Sequence, residues 1–528
     1  MKYPIGIQSF EKIRNEGYVY VDKTRLVYEM VHNSSICFLS RPRRFGKSLL
    51  VSMLECYFRG RKELFNGLAM ESLEKEWKQY PVFHLDFNGK NFTKAGDLEA
   101  TLQTQVECFE AEYGRSPFAI TLGDRFAYVL KTAHERTGLR AVVLVDEYDK
   151  PLLDVLGMDL KVMVDGAERQ MEEWHRQVLK GFYGVFKMAD DHLHFVLLTG
   201  VTKFSQVSVF SDLNQLDDIS MDERYDALCG MTEKEVCRVF QSSLHEMSQK
   251  FCLSDASMLQ RLKRKYDGYH FSQSLLDVFN PFSILSAFRK MQLADFWFRT
   301  GSPTYLVRLL SHSKVQLNDL TGRYYPASHF MDYNAEVPTP LPMLYQSGYL
   351  TIKDYDPLTD SYLLDFPNDE VRNGLLTIAA TNYLKPQEDA AAWVIRVVKA
   401  LDMGNTELLR DLFASFLASI PYNQRRKSNE REKERYFQYT FYLILRMLSS
   451  FTVLVEREQS EGRVDCIVET DAHVYVIEFK LDGNAESALR QIEEKGYARP
   501  YAADLRQVHL IGCSFSSKTG TIDDWADC

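Results

Sequence analysis

The sequence has no cysteine pair at CxxC spacing and no long apolar run. Its nine cysteines are scattered and odd in number, so we expect buried or incidental thiols in a reducing compartment and neither a zinc site nor a disulfide framework. No apolar stretch approaches the roughly 20 residues that a helix needs to span a bilayer. The start of the chain, MKYPIGIQSFEKI, lacks a basic region followed by an apolar one, so no signal peptide is expected. These absences predict a soluble, cytoplasmic protein with no membrane partner.

The chain also lacks an excess of basic charge. Its 63 lysines and arginines stand against 73 aspartates and glutamates, which gives a formal net charge of −10. This balance argues against a protein coated in nucleic acid, although a local basic groove is compatible with it. A length of 528 residues predicts about three domains of roughly 150 residues each. The 45% content of hydrophobic residues is that of a globular protein with real cores.

The first motif is ICFLSRPRRFGKSLL, residues 36–50. An apolar run that favours a strand is followed by an arginine-rich turn, by Gly46-Lys47-Ser48 and by the apolar opening of a helix. Strand, loop and helix in this order place backbone N–H groups around a polyphosphate, with the helix N-terminus behind them. Lys47 is then expected to reach the β- and γ-phosphates, and Ser48 to hold Mg²⁺.

One position departs from the usual phosphate-binding pattern. Arg41 stands where that pattern has its first glycine, separated by four residues from the Gly-Lys pair. Arg44 in the same turn is a further candidate for binding the nucleotide. The alternative interpretation of the whole stretch is an ordinary basic turn.

A second stretch, AVVLVDEYD at residues 141–149, favours the nucleotide interpretation. A continuous apolar run is typical of a parallel strand covered on both faces. Asp146 and Glu147 end that run, where a second contact to Mg²⁺ and a water-activating base are expected. Together with the Gly-Lys-Ser motif about a hundred residues earlier, this strand predicts a P-loop NTPase.

Another buried strand is predicted at Phe195–Leu198, and it ends at Thr199. A polar residue at the tip of a strand beside the acidic one can sense the γ-phosphate, so Thr199 is a candidate for this role. The alternative is that Thr199 only ends the strand. Lys203 is expected to be a solvated residue, and residues 160–188 are expected to be a polar helical region.

The middle of the chain predicts a lid. Residues 341–366 read as a helix, a Ser-Gly turn and two alternating strands, which is a winged-helix-like unit. Such a unit binds DNA in some proteins and packs as a lid on an NTPase in others. A domain boundary is expected near residue 385. The charged run at residues 423–435 is interpreted either as a solvated linker or as a basic surface that approaches a phosphate backbone.

The second stretch with candidate catalytic side chains is RVDCIVETDAHVYVIEFK, residues 463–480. It predicts a hairpin, and alternation along a strand puts Glu478 and Lys480 on one face. Pairing across the hairpin can bring Asp465 to the same face. Two carboxylates and a lysine there can bind a divalent metal and position a water that attacks a phosphodiester. The alternative is a solvent-exposed sheet face with an ordinary Glu/Lys pair.

Two residues outside the hairpin are further candidates for this site. Residues 485–497 predict an amphipathic helix from which Gln491 can supply an amide to a metal-bound water or to a phosphate backbone. Glu434, upstream, is a possible extra acidic ligand.

Through these and neighbouring motifs, the chain resembles a bacterial family of AAA-ATPase-like proteins that carry a C-terminal PD-(D/E)XK nuclease-superfamily domain. The resemblance covers nearly the whole chain. In the first half it rests on PIGIQSFEKIR (4–14), YVDKT (20–24), FLSRPRRFGKSLL (38–50) and LVDEYDKP (144–151). It continues through LTGVTKFS (198–205), YDGYHF (266–271), NPFS (280–283), YQSGYLTI (345–352) and FPNDEV (366–371). In the second half it rests on GRVD (462–465), EFK (478–480), ALRQI (488–492) and KGYA (495–498).

The resemblance implies an ATP site at Gly46, Lys47 and Ser48 with Asp146 and Glu147 as the acidic pair. It implies nuclease-type positions at Asp465, Glu478 and Lys480. RPRRFGKS, with its Arg41, looks typical of this family, so ATP binding is expected in spite of the missing glycine.

The fold expected from residues and resemblance is α/β: a P-loop NTPase core with a parallel sheet, a helical and winged-helix lid, and a C-terminal α/β restriction-endonuclease-like domain. The expected limits are 1–225 for the core, 226–385 for the lid, 386–430 for a helical linker and 431–528 for the nuclease-like domain.

The expected function is that of an ATP-binding, Mg²⁺-dependent NTPase that controls a metal-dependent nuclease-like domain. Mg²⁺ or Mn²⁺ is expected at the second site, and nucleic acid, with DNA favoured, is the expected partner. The alternatives are a nucleotide-switched regulator that binds DNA or protein without cutting, and an NTPase with no nucleic-acid partner. The sequence leaves the oligomeric state open, a homo-oligomer included.

Overall fold

The computed structural model describes residues 1–204, 215–301, 320–333, 339–384, 390–419, 452–459 and 462–528. These residues form two compact units. The first contains the described residues up to Glu370, and the second contains those from Val371 to Cys528. The first unit therefore includes the predicted core and most of the predicted lid.

A five-stranded parallel sheet organises the first unit, in the order β2-β3-β6-β1-β7. The acidic strand β3 is buried along its whole length, as a strand covered on both faces should be. Strand β6 lies between β1 and β3, so the carboxyl ends of these three strands meet at one edge of the sheet. The strands are β1 (Ile36–Ser40), β2 (Val82–Asp86), β3 (Ala141–Asp146), β6 (Leu193–Gly200) and β7 (Asp217–Asp218).

Helices connect these strands. Parallel neighbours need such crossover connections, because a tight hairpin joins only antiparallel strands. The helices are Phe10–Asn15, Thr24–Asn33, Lys47–Phe58, Ala69–Leu73, Asp97–Tyr113, Leu122–Thr137, Lys150–Val155, Met171–Tyr183 and Val185–Met188.

A small hairpin corrects one prediction. Residues 160–188, expected to be helical throughout, begin with the antiparallel strands β4 (Lys161–Val164) and β5 (Ala167–Gln170). The turn between them is Asp165-Gly166, and both residues have positive φ, which is typical of a two-residue hairpin turn. Helix resumes only at Met171.

The rest of the first unit is mainly helical and contains two small antiparallel sheets. One pairs β8 (Met231–Thr232) with β9 (Val278–Phe279), and the other has the order β10-β12-β11. The predicted helix and two strands of residues 341–366 are present, and a third strand, β10, joins them. The elements are Glu233–Val239, Gln241–Lys250, Asp255–Tyr266, Pro281–Lys290, Phe296–Gly301, β10 (Arg323–Pro326), Leu341–Gln346, β11 (Thr351–Asp356) and β12 (Ser361–Asp365).

An apolar cluster ties this helical part to the N-terminal segment. Phe240, Leu262 and Phe288 are fully buried, and Val21 packs in the same cluster. Burial of apolar surface on this scale is the main stabilising contribution to such a unit. The segment before the first strand is thereby held beside the helical part.

The second unit contains a five-stranded mixed sheet in the order β13-β14-β15-β16-β17. Strands β15 and β16 are parallel and the other pairs are antiparallel. A helix crosses between the parallel pair, as the geometry requires. The elements are Asp369–Leu384 (in this unit from Val371), Ala390–Asp402, Thr406–Ser419, β13 (Thr452–Gln459), β14 (Gly462–Glu469), β15 (His473–Leu481), Ala485–Glu494, β16 (Gln507–Phe515) and β17 (Ile522–Asp527).

Three predictions fall outside the described residues. The charged run at 423–435 and the extra ligand Glu434 both lie between 420 and 451, which the structure does not describe. The predicted boundary near residue 385 lies in the gap at 385–389.

Candidate functional site

The loop after β1 leads into the helix Lys47–Phe58. Gly46 is the cap residue of this helix and has φ of 100°. A Cβ atom there would meet nothing within 4 Å, so the backbone conformation and not lack of space calls for glycine. The unpaired N–H groups of the first helical turn, those of Lys47 and Ser48 among them, begin at this point. This is the arrangement that binds anions at helix N-termini.

The side chain of Lys47 reaches back to the start of the loop. Its side chain is buried, and its Nζ donates to the carbonyl oxygens of Arg41 at 2.7 Å and Pro42 at 3.1 Å. Burial lowers the pKa of Lys47, while Glu147 and Asp146 act in the opposite direction. The ammonium is therefore held at the loop, and the carboxylates at the end of β3 favour its charged form.

The side chain of Arg41 makes its contacts outside the loop. Its side chain is buried, and its guanidinium donates to the backbone oxygens of Ser220 at 2.8 Å and Tyr225 at 3.2 Å. It also lies 4.0 Å above the ring of Phe271. Arg41, which stands in place of the usual first glycine, therefore connects the loop to neighbouring segments through its buried side chain.

Asp146 ends β3 and is 2% exposed. Its Oδ1 accepts a hydrogen bond from the hydroxyl of Thr199 at 2.8 Å, and its Oδ2 accepts one from the amide of Asn88 at 3.1 Å. Thr199 lies where the sequence predicted it, at the tip of the strand beside the acidic one. Asn88 was missed, because it follows β2 in a loop with no motif around it.

Glu147 and Asp149 bring two further carboxylates to this edge. Burial raises the pKa of Glu147, and the charge of Lys47 opposes that rise. Asp149 is buried and accepts from the backbone N–H groups of Val201 at 2.9 Å and Thr202 at 2.6 Å. Burial raises the pKa of Asp149 to about 6. Asp149 was not predicted from the sequence, although its position three residues after Asp146 could have indicated that it lies at the same edge of the sheet.

A cavity of about 410 Å³ adjoins the loop. Arg43, Arg44, Ser48 and Glu147 form part of its polar wall together with Lys47. Arg44 is an exposed residue with φ of 68°. The apolar wall of the cavity includes Ile5, Ile7, Val21, Met231, Phe282 and Leu285.

The apolar wall was not predicted from the sequence. Its residues come from the N-terminal segment, from β8 and from the helix Pro281–Lys290. The available signal was the pair Ile5 and Ile7 on either side of Gly6, near the start of the chain. Cavities of this size, mainly apolar with a few convergent charges, are typical of small-molecule sites.

Lys203 corrects another prediction. It was expected to be solvated, but its side chain is only 12% exposed and its Nζ lies 2.8 Å from Asp218 and 3.0 Å from Asp332. These carboxylates raise the pKa of Lys203 against the effect of burial. Lys203 is therefore an ion-paired residue of the interior.

The second unit brings Asp465 and Glu478 together on adjacent strands. The backbone N–H of Asp465 donates to Oε2 of Glu478 at 3.4 Å, and the N–H of Phe479 donates to Oδ2 of Asp465 at 2.8 Å. Glu478 is 3% exposed. Burial, and then the charge of Asp465, raise the pKa of Glu478 to about 7, while Lys480 opposes the rise.

Gln491 and Lys480 complete this cluster. The amide of Gln491 donates to Oε1 of Glu478, and the Nζ of Lys480 donates to Oε1 of Gln491 at 2.5 Å. Nζ of Lys480 lies 3.8 Å from Oε1 of Glu478. Asp465, Glu478, Lys480 and Gln491, four of the five residues predicted for the second site, are therefore in one network.

Gly512 on β16 allows the helix Ala485–Glu494 to lie close to this sheet. A Cβ at position 512 would overlap the carbonyl oxygen of Ala485 and would lie 3.0 Å from the backbone nitrogen of Leu489. Gly512 is the register partner of Glu478 on the neighbouring strand. This close approach is what lets Gln491 reach the carboxylate.

The donor sets are compatible with divalent cations that prefer oxygen ligands. Asp465 and Glu478 offer two carboxylates at the second site, and Ser48 and Asp146 offer a hydroxyl and a carboxylate at the first. Among the described residues there is no cluster of three or more His, Cys, Asp or Glu side chains suited to a metal. A cation at either place would therefore complete its shell with backbone, water or substrate oxygens.

In the part of the chain that the structure describes, no helix combines the length and the apolar character needed to cross a bilayer.

Comparisons with known proteins match two separate regions of the chain. A family model described as predicted AAA-ATPase matches residues 4–210, and one described as PD-(D/E)XK nuclease superfamily matches residues 432–525. A relative from Azotobacter chroococcum mcd 1, "Uncharacterized protein in vnfD 5'region", is 35% identical over 531 residues. The alignment covers 99% of this chain and 98% of that protein. Each matched region contains one of the two residue clusters.

Proposed function

Because the chain belongs to the predicted AAA-ATPase family and carries a PD-(D/E)XK nuclease-superfamily domain, we propose that it is an ATP-binding, Mg²⁺-dependent NTPase. We propose further that its nucleotide cycle controls a metal-dependent nuclease-like domain that acts on nucleic acid. The observation that supports the proposal is that Lys47, bonded to the loop carbonyls, lines the same cavity of about 410 Å³ as Ser48 and Glu147.

In the nucleotide site the roles follow from position and charge. The N–H groups at Gly46 and the first helical turn hold the phosphate chain, and Lys47 neutralises its charge. Arg44, which also lines the cavity, contacts the nucleotide. The apolar wall of the cavity takes the base, since a flat heterocycle buries apolar surface there.

Ser48 and Asp146 are the residues that would hold Mg²⁺. When bound, this cation supplies charge neutralisation for the phosphate oxygens. Thr199 fixes the rotamer of Asp146 by its hydrogen bond. Glu147 orients the attacking water and accepts its proton, a role that a buried carboxylate of raised pKa suits.

In the second site Asp465 and Glu478 would hold Mg²⁺ or Mn²⁺, which when bound supplies Lewis-acid activation of a phosphodiester. Lys480 orients the water that attacks the phosphorus and stabilises negative charge there. Gln491 fixes the orientation of both Glu478 and Lys480 by its two hydrogen bonds. DNA is the favoured substrate.

A second candidate function is a nucleotide-switched module that binds DNA or protein without cutting. The observation in its favour is that the described residues of the second site offer only two carboxylates, and that the pKa of Glu478 is raised to about 7. A site with that pKa is only partly charged near neutral pH, which weakens cation binding.

One experiment separates the two functions. Purified full-length protein is incubated with supercoiled plasmid and Mg²⁺ or Mn²⁺, with and without ATP, beside a parallel measurement of ATP turnover. Metal-dependent nicking that changes with ATP supports the nuclease. ATP turnover with salt-dependent DNA binding and no nicking supports the regulator. Absence of both DNA binding and nicking removes the nucleic-acid partner from the proposal.

A further inference from the structure

The helix Asp369–Leu384 runs from the first unit of the fold into the second. Its first two residues belong to the first unit, and from Val371 onward it belongs to the second. A helix is a stiff element whose turns are joined by hydrogen bonds, so a change at its start is passed along its length. The contacts of its first turn therefore decide what the second unit can receive from the first.

Glu370 lies in the first turn of this helix and is 1% exposed. Its Oε1 accepts a hydrogen bond from the backbone N–H of Trp297 at 2.7 Å. Its Oε2 accepts one from the hydroxyl of Ser283, also at 2.7 Å. A carboxyl group buried this deeply is costly unless its oxygens are hydrogen-bonded. The two donors therefore hold the start of the helix in place.

Trp297 connects Glu370 to the loop after β1. The indole N–H of Trp297 donates to the carbonyl oxygen of Arg43 at 3.0 Å. Arg43 is part of that loop and lines the cavity next to Gly46 and Lys47. One residue thus bonds the loop through its side chain and the start of the helix through its backbone.

Ser283 connects the same carboxyl group to the apolar wall of the cavity. It lies in the helix Pro281–Lys290, from which Phe282 and Leu285 line that wall. Asn280 caps this helix, and its Oδ1 accepts from the backbone N–H groups of Phe282 at 3.0 Å and Ser283 at 3.2 Å. The cap fixes both residues in one turn, so Ser283 follows any displacement of the wall.

We propose that Glu370 couples occupancy of the cavity to the helix Asp369–Leu384. The inference rests on the proposed NTPase function, in which the phosphate chain lies at the loop and the base at the apolar wall. A nucleotide bound across the cavity fixes the loop and the wall together. Each of them reaches one oxygen of Glu370, the loop through Trp297 and the wall through Ser283. Bound nucleotide therefore holds the start of the helix more firmly than an empty cavity does.

Hydrogen–deuterium exchange of the full-length protein tests this coupling. Exchange of the amides of residues 371–384 is measured with and without saturating Mg·ATPγS, a slowly hydrolysed analogue of ATP. In the parent, the bound nucleotide should slow this exchange by roughly two- to tenfold, the effect of about one hydrogen bond on a local opening equilibrium.

Two variants cut one connection each. Trp297→Phe removes the indole N–H that bonds the loop, and Ser283→Ala removes the hydroxyl that bonds Glu370. Each variant should lose a large part of the slowing. Calorimetry should show that each still binds Mg·ATPγS, with an affinity lowered by no more than about tenfold, since one hydrogen bond is lost.

Trp174→Phe and Ser248→Ala are the matched controls. The indole N–H of Trp174 donates to Glu99 at 2.5 Å, and the hydroxyl of Ser248 donates to a backbone oxygen of its own helix at 2.8 Å. Both controls should show the slowing of the parent. Thermal melting shows whether each variant is folded, and Ser283→Ala keeps the test valid if Trp297→Phe is not.

Three results would overturn the inference. The first is a parent that binds Mg·ATPγS while exchange in residues 371–384 stays the same. The second is a Trp297→Phe or Ser283→Ala variant with the full slowing of the parent. The third is loss of the slowing in the control variants as well. All three leave the NTPase in place, whereas a parent that binds neither Mg·ATP nor Mg·ATPγS removes the proposed function together with the coupling.

Discussion

The hydroxyl of Thr199 donates to Oδ1 of Asp146 at 2.8 Å, across the carboxyl ends of two neighbouring parallel strands. The same hydroxyl lies 3.2 Å from the carbonyl oxygen of Val145. Thr199 is fully buried, so its side chain has little freedom. One oxygen of Asp146 is thereby fixed by the strand next to it, and the other is held by Asn88.

Replacement of Thr199 by valine tests this relationship. Valine has nearly the same shape but no donor, so the carboxylate of Asp146 loses its anchor. Because partners of a metal-binding carboxylate typically contribute 10- to 100-fold to affinity or activity, we expect kcat for ATP to fall by about that factor. KM for ATP should change less. Steady-state kinetics measure both.

Thr199→Ser is the matched control, since it keeps the hydroxyl and should keep most of the activity. A Thr199→Val variant with the kcat of the parent would show that Asp146 needs no such support.

The second site gives a prediction on cleavage. Asp465→Ala removes one of the two carboxylates near Lys480, and metal-dependent plasmid nicking should fall to background while ATP turnover stays unchanged. Asp471→Ala, at an exposed position in the turn between β14 and β15, should cut as the parent does. If Asp465→Ala nicks as fast as Asp471→Ala, the cluster around Glu478 is not a nuclease site.

Because Gly512 is closely packed, even an alanine side chain at this position should destabilise the fold. In Gly512→Ala the new methyl group overlaps the backbone of the helix Ala485–Glu494, so the helix must move away from the sheet. Overpacking of this kind typically destabilises by about 1–3 kcal/mol. Urea unfolding should show this loss, and nicking should fall because Gln491 is displaced from Glu478.

Gly181→Ala provides the comparison for that variant. Gly181 lies in the helix Met171–Tyr183, and a Cβ there would meet nothing within 4 Å. Alanine in a helix is favoured over glycine by roughly 0.5–1 kcal/mol, so this variant should be as stable as the parent or slightly more stable. Equal destabilisation by both substitutions contradicts the account of Gly512.

The burial of the Glu370 carboxylate predicts that the stability of the protein depends on pH. Its carboxylate is buried and accepts hydrogen bonds from Ser283 and from the N–H of Trp297, each at 2.7 Å. Burial raises the pKa of Glu370 to about 7, with a further rise from Asp295 and an opposing effect of Lys265.

A carboxyl with a raised pKa binds its proton more tightly in the folded protein than in the unfolded chain. The stabilisation is complete below the unfolded pKa of about 4.3 and is lost as pH rises toward 7. The shift corresponds to about 4 kcal/mol. In Glu370→Gln the fall in unfolding free energy between about pH 5 and 7 should be smaller than in the parent by an amount of that order. Identical pH profiles for both proteins would falsify this assignment.

Three strands of the first sheet were predictable because each is a continuous apolar run. Ile36–Leu39, 141–145 and Phe195–Leu198 all lie in buried parallel strands, and a strand with both faces covered has no competing pattern. The carboxyl ends of such strands meet at one edge, so Lys47, Asp146 and Thr199 could be expected near one another. The alternation in β15 likewise placed Glu478 and Lys480 together.

The remaining features depend on tertiary contacts that leave no local pattern. Asn88 and Asp149 lie in loops, and only the folded chain shows that one binds Asp146 and the other binds the backbone at Val201. The hairpin at 161–170 is short and polar, so neither strand shows apolar alternation. Arg41 is an arginine with a buried, stacked guanidinium, whereas a sequence pattern places arginine on the surface.

Titration of Mg·ATP into the purified protein, followed by calorimetry, shows whether the loop around Lys47 binds the nucleotide. We expect a saturable heat with one site per chain in the parent and no heat in Lys47→Ala, while Lys131→Ala, on an exposed face of another helix, binds as the parent does. No heat with the parent, or the same heat with Lys47→Ala, would contradict nucleotide binding at this loop.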